Sequence, residues 1–153
     1  MLGDGPLRPD VEAEIERLKL RDRFTLTGWI KPEEVLAWLR QADILFMPSL
    51  SEGLPVVGVQ ALAMGLALVV GRVGGFMDLV EDGQNGYMRD PLDGAGFVQS
   101  LRQLLATDEH AQSQSRLLSF RLRSRQLACR FDLDAVVQSY LQIFESLKPT
   151  KHA

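Results

Sequence analysis

The sequence contains very few of the residues that build disulfide frameworks and metal sites. Cys129 is the single cysteine among 153 residues, which excludes an internal disulfide framework, and we expect a buried, unreactive thiol. The two histidines, His110 and His152, lie far along the chain from every other candidate site residue. No histidine-based acid–base or metal pair is therefore evident, and we predict no metal and no bound cofactor.

Long apolar runs and an export signal are also missing. No run of apolar residues reaches the length of a membrane span, and the first six residues do not resemble a signal peptide. We therefore expect a cytoplasmic protein. The sequence also lacks a Walker glycine–lysine loop and a dinucleotide fingerprint, which argues against nucleotide hydrolysis and hydride transfer.

The formal net charge of −3 argues against bulk nucleic-acid binding. Arginine is nevertheless concentrated between Arg116 and Arg130, where fifteen residues contain five arginines and no acid. Two interpretations stay open for this segment. It is either a solvated helical face or a basic patch that meets phosphate or an anionic membrane surface.

The residues that are abundant indicate a folded α/β domain, with 46% apolar and 24% charged residues. Short apolar runs alternate with stretches of helical period. The predicted strands are Phe24–Gly28, Ile44–Pro48, Ala67–Val70 and Tyr87–Met88, and the predicted helices are Asp10–Arg21, Pro32–Ala42, Val56–Met64 and a short helix through Glu81. This alternation predicts an open Rossmann-like parallel sheet flanked by helices, with the two apolar strands covered on both faces.

From Asp93 onward the pattern is purely helical. One apolar stripe comprises Phe97, Leu101, Leu104 and Leu105, and another runs from Leu133 to Leu147 behind Asp132 as a helix N-cap. At the other end, Met1-Leu2 is typical of the end of a strand whose beginning is absent. We therefore expect residues 1–153 to be a single domain that is incomplete at its N-terminus.

The loop Ser49–Pro55 is the most informative candidate site, because ligands of parallel α/β sheets bind beyond the carboxyl ends of the strands. The first-turn N–H groups and the dipole of the following helix favour an anion there, Gly53 allows close approach, and Pro55 suits a first helical position. Glu52 could accept hydrogen bonds from sugar hydroxyls. The alternative is that Glu52 is a solvated loop acid and Gln60, eight residues later, a surface residue.

Three further features give weaker signals. Gly74-Gly75 precedes another predicted helix start and offers a second anion site, although glycine pairs are common in turns. The tetrapeptide Gly3-Asp4-Gly5-Pro6 is a turn that contacts phosphate or base only in a suitable context. Trp29 and Trp38 are expected to be packing residues rather than ligand-stacking ones.

These motifs together resemble the signature of the family 4, group 1 glycosyltransferases, which are retaining enzymes of the two-domain GT-B fold. The resemblance lies in Glu52-Gly53-Leu54-Pro55, Gln60 to Gly65, Val69-Val70 and Val73-Gly74-Gly75, and it extends in order from Gly3 to Leu147. It implies the C-terminal, donor-binding half of such an enzyme. The substrate would be a nucleoside-diphosphate sugar, with a glycan or lipid acceptor bound by a separate N-terminal domain.

The resemblance also implies roles for individual residues. Glu52 matches the catalytic acid that contacts hydroxyls of the transferred sugar. The segment around Gly28 and Trp29 matches the wall against the base, and Gln60 stands where the family has the acid that binds the ribose. The remaining donor-binding positions implied are Gly3, Gly5, Gly53, Leu54, Pro55, Val56, Val57, Gly74 and Gly75.

Gln60 is a departure with an expected cost. A neutral amide offers a ribose diol weaker hydrogen bonds than a carboxylate, a loss of about 1–2 kcal/mol or roughly tenfold in affinity. A second hypothesis therefore stays open, in which the chain is an inactive remnant that acts as an interaction or oligomerisation module. An exposed sheet edge left by a missing strand would favour a homodimer.

Overall fold

A computed structural model describes residues 1–105 and 111–147 of the chain. His110 and His152 lie outside these residues. The chain folds as two compact units, residues 1–41 and residues 42–153.

The first unit contains two α-helices, a short 3-10 helix at Arg21–Arg23 and no regular strand. Helix α1 spans Arg8–Arg17, and helix α2 spans Pro32–Gln41, one residue short of the prediction. Helix α1 was predicted over Asp10–Arg21 but begins and ends earlier. Pro9 lies in its first turn, and Lys19 adopts a left-handed φ of 56° that cannot continue the helix.

The strand predicted over Phe24–Gly28 is not a regular strand. The backbone N–H of Thr27 donates to the Met1 carbonyl at 3.2 Å, and that of Gly3 donates to the Gly28 carbonyl at 3.0 Å. The Met1 ammonium also donates to the Thr25 carbonyl. Gly3 and Gly28 thus form only an isolated bridge, and residues 24–28 do not join a regular ladder.

The second unit has a three-stranded parallel sheet in the order β1-β2-β3. Its elements are β1 (Ile44–Met47), α3 (Val56–Met64), β2 (Ala67–Gly71), α4 (Phe76–Leu79), β3 (Gly86–Arg89), α5 (Gly94–Leu105), α6 (Ala111–Ala128) and α7 (Leu133–Ser146). The parallel sheet flanked by helices confirms the predicted fold class. The short helix predicted through Glu81 ends earlier at Leu79, because the Asn85 carboxamide accepts the Glu81 N–H at 2.8 Å.

Strand β2 lies at the centre of the core, with all five residues buried. Leu68 and Val70 join one cluster with Leu62, Phe76, Leu79 and Leu127, whereas Ala67 and Val69 join another with Tyr87, Phe97, Leu104 and Phe120. This alternation follows from the two-residue period of a strand. The prediction of burial on both faces is confirmed for β2.

Burial predictions failed at the margins of the sheet. Strand β1 is an edge strand. Phe46 is 46% exposed, although its ring packs edge-on against that of Phe97 with 5.6 Å between the ring centroids. Leu105 of the predicted α5 stripe is also exposed. Helix α7 forms, with the Asp132 carboxylate accepting the Ala135 N–H at 3.1 Å, but every described residue of its stripe is exposed. The periodic pattern identified the apolar face without showing whether a partner covers it.

The arginine-rich segment lies on α6 and just after it, where several of its cations are paired. Arg123 and Arg130 both contact the Glu81 carboxylate, at 2.7 Å and 3.4 Å. Arg121 donates to the Gly65 carbonyl at 2.8 Å and pairs with Asp43. These pairs hold α6 against the sheet and reduce the positive charge that a basic patch would need. Cys129 was predicted to be buried, but it lies in the turn after α6 and is exposed.

Candidate functional site

The candidate site is the loop between β1 and α3, at the carboxyl end of the sheet. Glu52 lies in this loop and is partly buried. The Ser49 hydroxyl donates a hydrogen bond to Glu52 Oε1 at 2.8 Å. Glu52 is therefore not a freely solvated loop acid, because one of its oxygens is already held.

The N-terminus of α3 presents free N–H groups beside Glu52. Pro55 has extended backbone angles of φ −73° and ψ 114° and precedes the helix as its N-cap, rather than being its first residue. Its carbonyl accepts the Gly58 N–H at 2.9 Å. Within the described part of the chain, the N–H groups of Gly53, Leu54, Val56 and Val57 have no hydrogen-bond acceptor. Free donors at the positive end of a helix dipole are suited to a phosphate or another anion.

A second segment, from Gly71 at the end of β2 to Gly75, supports the Glu52 loop through close backbone contacts. A Cβ added to Gly71 would lie 2.4 Å from the Ser49 carbonyl oxygen, and one added to Gly74 would lie 1.8 Å from the Glu52 oxygen. Gly75 donates its N–H to the Gly53 carbonyl at 2.8 Å. No side chain fits at these positions, so the two loops interlock only because glycine occupies all three.

This contact gives Gly74 and Gly75 a supporting role that differs from the predicted anion site. The Gly75 N–H is used within the protein, and α4 has only four residues, Phe76–Leu79. Direct contact of Gly74 or Gly75 with a nucleotide-sugar donor stays a prediction.

Gln60 lies on α3, one helical turn after the exposed Val56, and is partly buried. Its carboxamide makes no side-chain hydrogen bond to any described residue. The second turn of α3 thus carries an amide whose donors and acceptor are available to a ligand.

Four predicted donor-binding residues, Gly3, Gly5, Gly28 and Trp29, belong to the first unit instead. Within it, Gly3 and Gly28 are hydrogen-bonded, and Gly28 has a left-handed φ of 67°. A Cβ on Gly28 would lie 3.2 Å from the Arg8 guanidinium. Trp29 is 82% exposed, so the prediction that it is a packing residue was wrong, and Trp38, at 40%, is exposed as well.

In the first unit, the Arg8 guanidinium is held by two carboxylates. Hydrogen bonds to the carboxylates of Glu12 at 2.8 Å and Asp4 at 3.0 Å raise the pKa of Arg8 above its ordinary value. The Asp4 carboxylate also accepts the Gly5 N–H at 2.8 Å, so the predicted turn is closed by its own side chain.

The sequence analysis named Glu52 and the α3 N-terminus as candidates, but it did not name the Ser49 hydroxyl or Gly71 as their supports. A hydroxyl residue three positions before an acid, directly after a strand, is a signal that could have suggested the Ser49–Glu52 bond. No such local signal exists for Gly71, because its contact is with a loop more than twenty residues earlier in the chain.

Two classes of feature are absent from residues 1–105 and 111–147. They contain no cluster of three or more His, Cys, Asp or Glu side chains that could hold a metal ion. In the same ranges, no helix is long and apolar enough to cross a membrane.

Several known proteins are similar to this chain over most of its length. A family model described as "Glycosyl transferases group 1" matches residues 1–107. The 2-deoxystreptamine N-acetyl-D-glucosaminyltransferase of Niallia circulans is 28% identical over 151 residues, which cover 98% of this chain and 37% of that protein. The alpha-D-kanosaminyltransferase of Streptomyces kanamyceticus is 34% identical over 107 residues, which cover 70% of this chain and 28% of that protein. The chain thus spans less than two fifths of the length of either relative.

The fold is also found in solved structures. The pneumococcal O-GlcNAc transferase GtfA, in complex with UDP and GlcNAc, superposes with a TM-score of 0.78 at 22% identity, covering 95% of this chain and 28% of that one. This likeness confirms the GT-B type of fold that the motifs predicted.

Proposed function

The chain belongs to the group 1 glycosyltransferases, and from that membership we propose that it supplies the donor-binding half of an enzyme that moves a sugar from a nucleoside diphosphate to an acceptor. The observation that carries the proposal is the Glu52 loop. It combines an oriented carboxylate with free backbone N–H groups at a helix N-terminus.

The two parts of this loop suit the two parts of a nucleotide sugar. The N–H groups of Gly53, Leu54, Val56 and Val57 would hold the sugar and the diphosphate, with the α3 dipole stabilising the leaving diphosphate. The Glu52 carboxylate would accept hydrogen bonds from hydroxyls of the transferred sugar. Such bonds between a charged acceptor and a hydroxyl are among the stronger ones that a protein makes.

The finer parts of the proposal rest on the resemblance alone. They are a family 4 enzyme with a retaining mechanism, a glycan or lipid acceptor on a separate domain, and a cytoplasmic location. Because transfer requires an acceptor site and exclusion of water, we expect donor binding but no turnover from the isolated chain. The pairing of Arg121, Arg123 and Arg130 with acids favours a solvated helical face over a basic patch that meets phosphate or an anionic membrane.

Gln60 provides the sharpest test of the donor site. If it meets the ribose, Gln60→Glu should tighten nucleotide binding about tenfold, because a carboxylate accepts charge-assisted bonds from the diol. Gln99→Glu is the matched control. It makes the same change at an exposed position of α5 and should leave affinity unaltered.

The experiment is an NMR titration of the full chain with UDP, GDP and ADP and with their sugar conjugates. We expect shifts at the amides of Gly53 to Val57 and at Gln60, strongest for one base and tightened in Gln60→Glu. The absence of shifts with every nucleotide, in the wild type and in Gln60→Glu, would remove the donor-binding proposal.

An interaction module is the second candidate, and exposed apolar surface favours it. Eight apolar side chains of α7 and its C-cap are between 37% and 73% exposed. In the first unit, an apolar groove of about 400 Å³ is lined by Val11, Ile15, Leu20, Phe24 and four neighbouring residues. Contiguous apolar surface of this kind marks association sites. A strictly monomeric chain in light scattering at high concentration would contradict this candidate.

A further inference from the structure

We propose that Ser49 is a positioning residue that orients the Glu52 carboxylate toward the transferred sugar. The inference rests on the proposed function, in which Glu52 accepts hydrogen bonds from sugar hydroxyls. Ser49 itself would not touch the donor.

The geometry makes Ser49 the one side chain that holds Glu52 within the described residues. The Ser49 hydroxyl donates to Oε1 at 2.8 Å in a partly buried setting. No other side-chain hydrogen bond or ion pair involves Glu52 in residues 1–105 and 111–147. The orientation of a flexible side chain therefore depends on a single donor.

The backbone of the loop is held by other means. The carbonyl groups of Ser49 and Glu52 pack against Gly71 and Gly74, and the Gly75 N–H donates to the Gly53 carbonyl at 2.8 Å. None of these contacts uses the Ser49 hydroxyl. Removing the hydroxyl should therefore release the Glu52 side chain and leave the loop in place.

The bond also leaves Glu52 with spare acceptor capacity. An ionised carboxylate has about four lone-pair sites, and Ser49 occupies one of them on Oε1. Oε2 stays available for a sugar hydroxyl. Ordering the side chain before the ligand arrives reduces the entropy that binding would otherwise cost.

The test compares Ser49→Ala with Ser49→Thr, which keeps the hydroxyl, and with Glu52→Gln. The probes are UDP and UDP-glucose, with UDP-N-acetylglucosamine as a second sugar, each titrated into the full chain. Because Glu52 is expected to meet only the sugar, the readout is the ratio of UDP affinity to UDP-sugar affinity. We expect Ser49→Ala to reduce the advantage of the sugar conjugate by about three- to tenfold with UDP affinity unchanged, and Ser49→Thr to restore it.

A second readout needs no ligand. Three-bond NMR couplings across χ1 and χ2 of Glu52 should report one rotamer in the wild type and in Ser49→Thr, but averaged rotamers in Ser49→Ala. The Gly75 amide shift should stay constant in all three proteins. A moved Gly75 signal would show that Ser49 shapes the loop rather than the carboxylate, and would overturn the positioning role.

The outcomes separate this inference from the function on which it rests. If Glu52→Gln loses the sugar advantage but Ser49→Ala keeps it, the positioning role is wrong and the donor site stands. If Glu52→Gln changes nothing, the assigned role of Glu52 fails, and that of Ser49 fails with it. If none of UDP, GDP, ADP and their sugar conjugates binds the wild type, the donor-binding function fails. Unaveraged couplings in Ser49→Ala would then independently reject Ser49 as the group that orders Glu52.

Discussion

Substitution of Gly75 by alanine isolates the close contact between the two loops of the candidate site. Gly75 has ordinary helical backbone angles, φ −65° and ψ −10°, so alanine creates no backbone strain there. The new Cβ would lie 2.1 Å from the Gly53 carbonyl oxygen and 2.5 Å from the Leu54 Cα. Both are backbone atoms that cannot rotate away, so the loops must separate. Overpacking of this kind costs about 1–3 kcal/mol.

Thermal unfolding of Gly75→Ala measures this cost. For a chain of this size, 1–3 kcal/mol corresponds to a melting temperature lowered by about 2–12 °C. The amide signals of Gly53 and Leu54 should shift with it. Gly94→Ala is the matched control, because no atom lies within 4 Å of its Cβ at the start of α5. That variant should gain up to about 1 kcal/mol from the lower entropy of its unfolded state. If Gly75→Ala melted like the wild type with both amides unmoved, the interlocked geometry would be refuted.

Three further variants test the fold around the site. Asn85→Ala should lower the free energy of unfolding in urea by about 1–3 kcal/mol, because it unpairs the partly buried Glu81 N–H and the buried Leu79 carbonyl. An unchanged midpoint would contradict this. Asp132→Ala should weaken α7 by about 1 kcal/mol and speed hydrogen exchange at Ala135, whereas Asp134→Ala, which removes no cap bond, should leave that amide unaffected. Gly65→Ala should destabilise the chain by about 1 kcal/mol or more, since its φ is 71° and its Cβ would meet the Arg125 side chain at 2.9 Å; equal melting temperatures would argue against the left-handed cap.

The core of the sheet could be predicted from the sequence because its signals are local. The continuous apolar run of β2 indicated burial on both faces, and the helical period of Val56–Met64 indicated α3, which ends at the left-handed Gly65. Both are confirmed. In each case the prediction rests on residues that lie within the predicted element or directly beside it.

Predictions failed where structure depends on a partner. The α7 stripe has the period of a buried face, yet its residues are exposed. Periodicity shows where the apolar side of an element lies but not what covers it. The strand expected over Phe24–Gly28 did not form as a regular strand for a related reason, because Gly28 pairs with Gly3 only through an isolated bridge.

The candidate site was predictable in its loop but not in its supports. The glycine, the proline and the acid of residues 52–55 mark a strand-to-helix turn that suits an anion. The contacts of Gly71, Gly74 and Gly75 with this loop join segments about twenty residues apart, and no local pattern specifies such a pairing. The acceptor of the Ser49 hydroxyl likewise depends on the path of the loop rather than on the residue type.

Two variants separate the path of the loop from its chemistry, and only Glu52→Gln bears on the proposed donor-binding function. Gly75→Ala alters the path of the loop, so it should lower stability whether the chain binds a donor or only serves as an interaction module. Glu52→Gln keeps an oxygen that can accept the Ser49 hydroxyl, so stability should change by no more than about 0.5 kcal/mol. If the chain is a donor-binding half, Glu52→Gln should nevertheless lose the sugar-dependent part of nucleotide binding, because the sugar hydroxyls are expected to donate to the negatively charged Glu52 carboxylate. An equally stable Glu52→Gln variant with full preference for UDP-sugar over UDP would leave the loop as a structural element with no role for its acid.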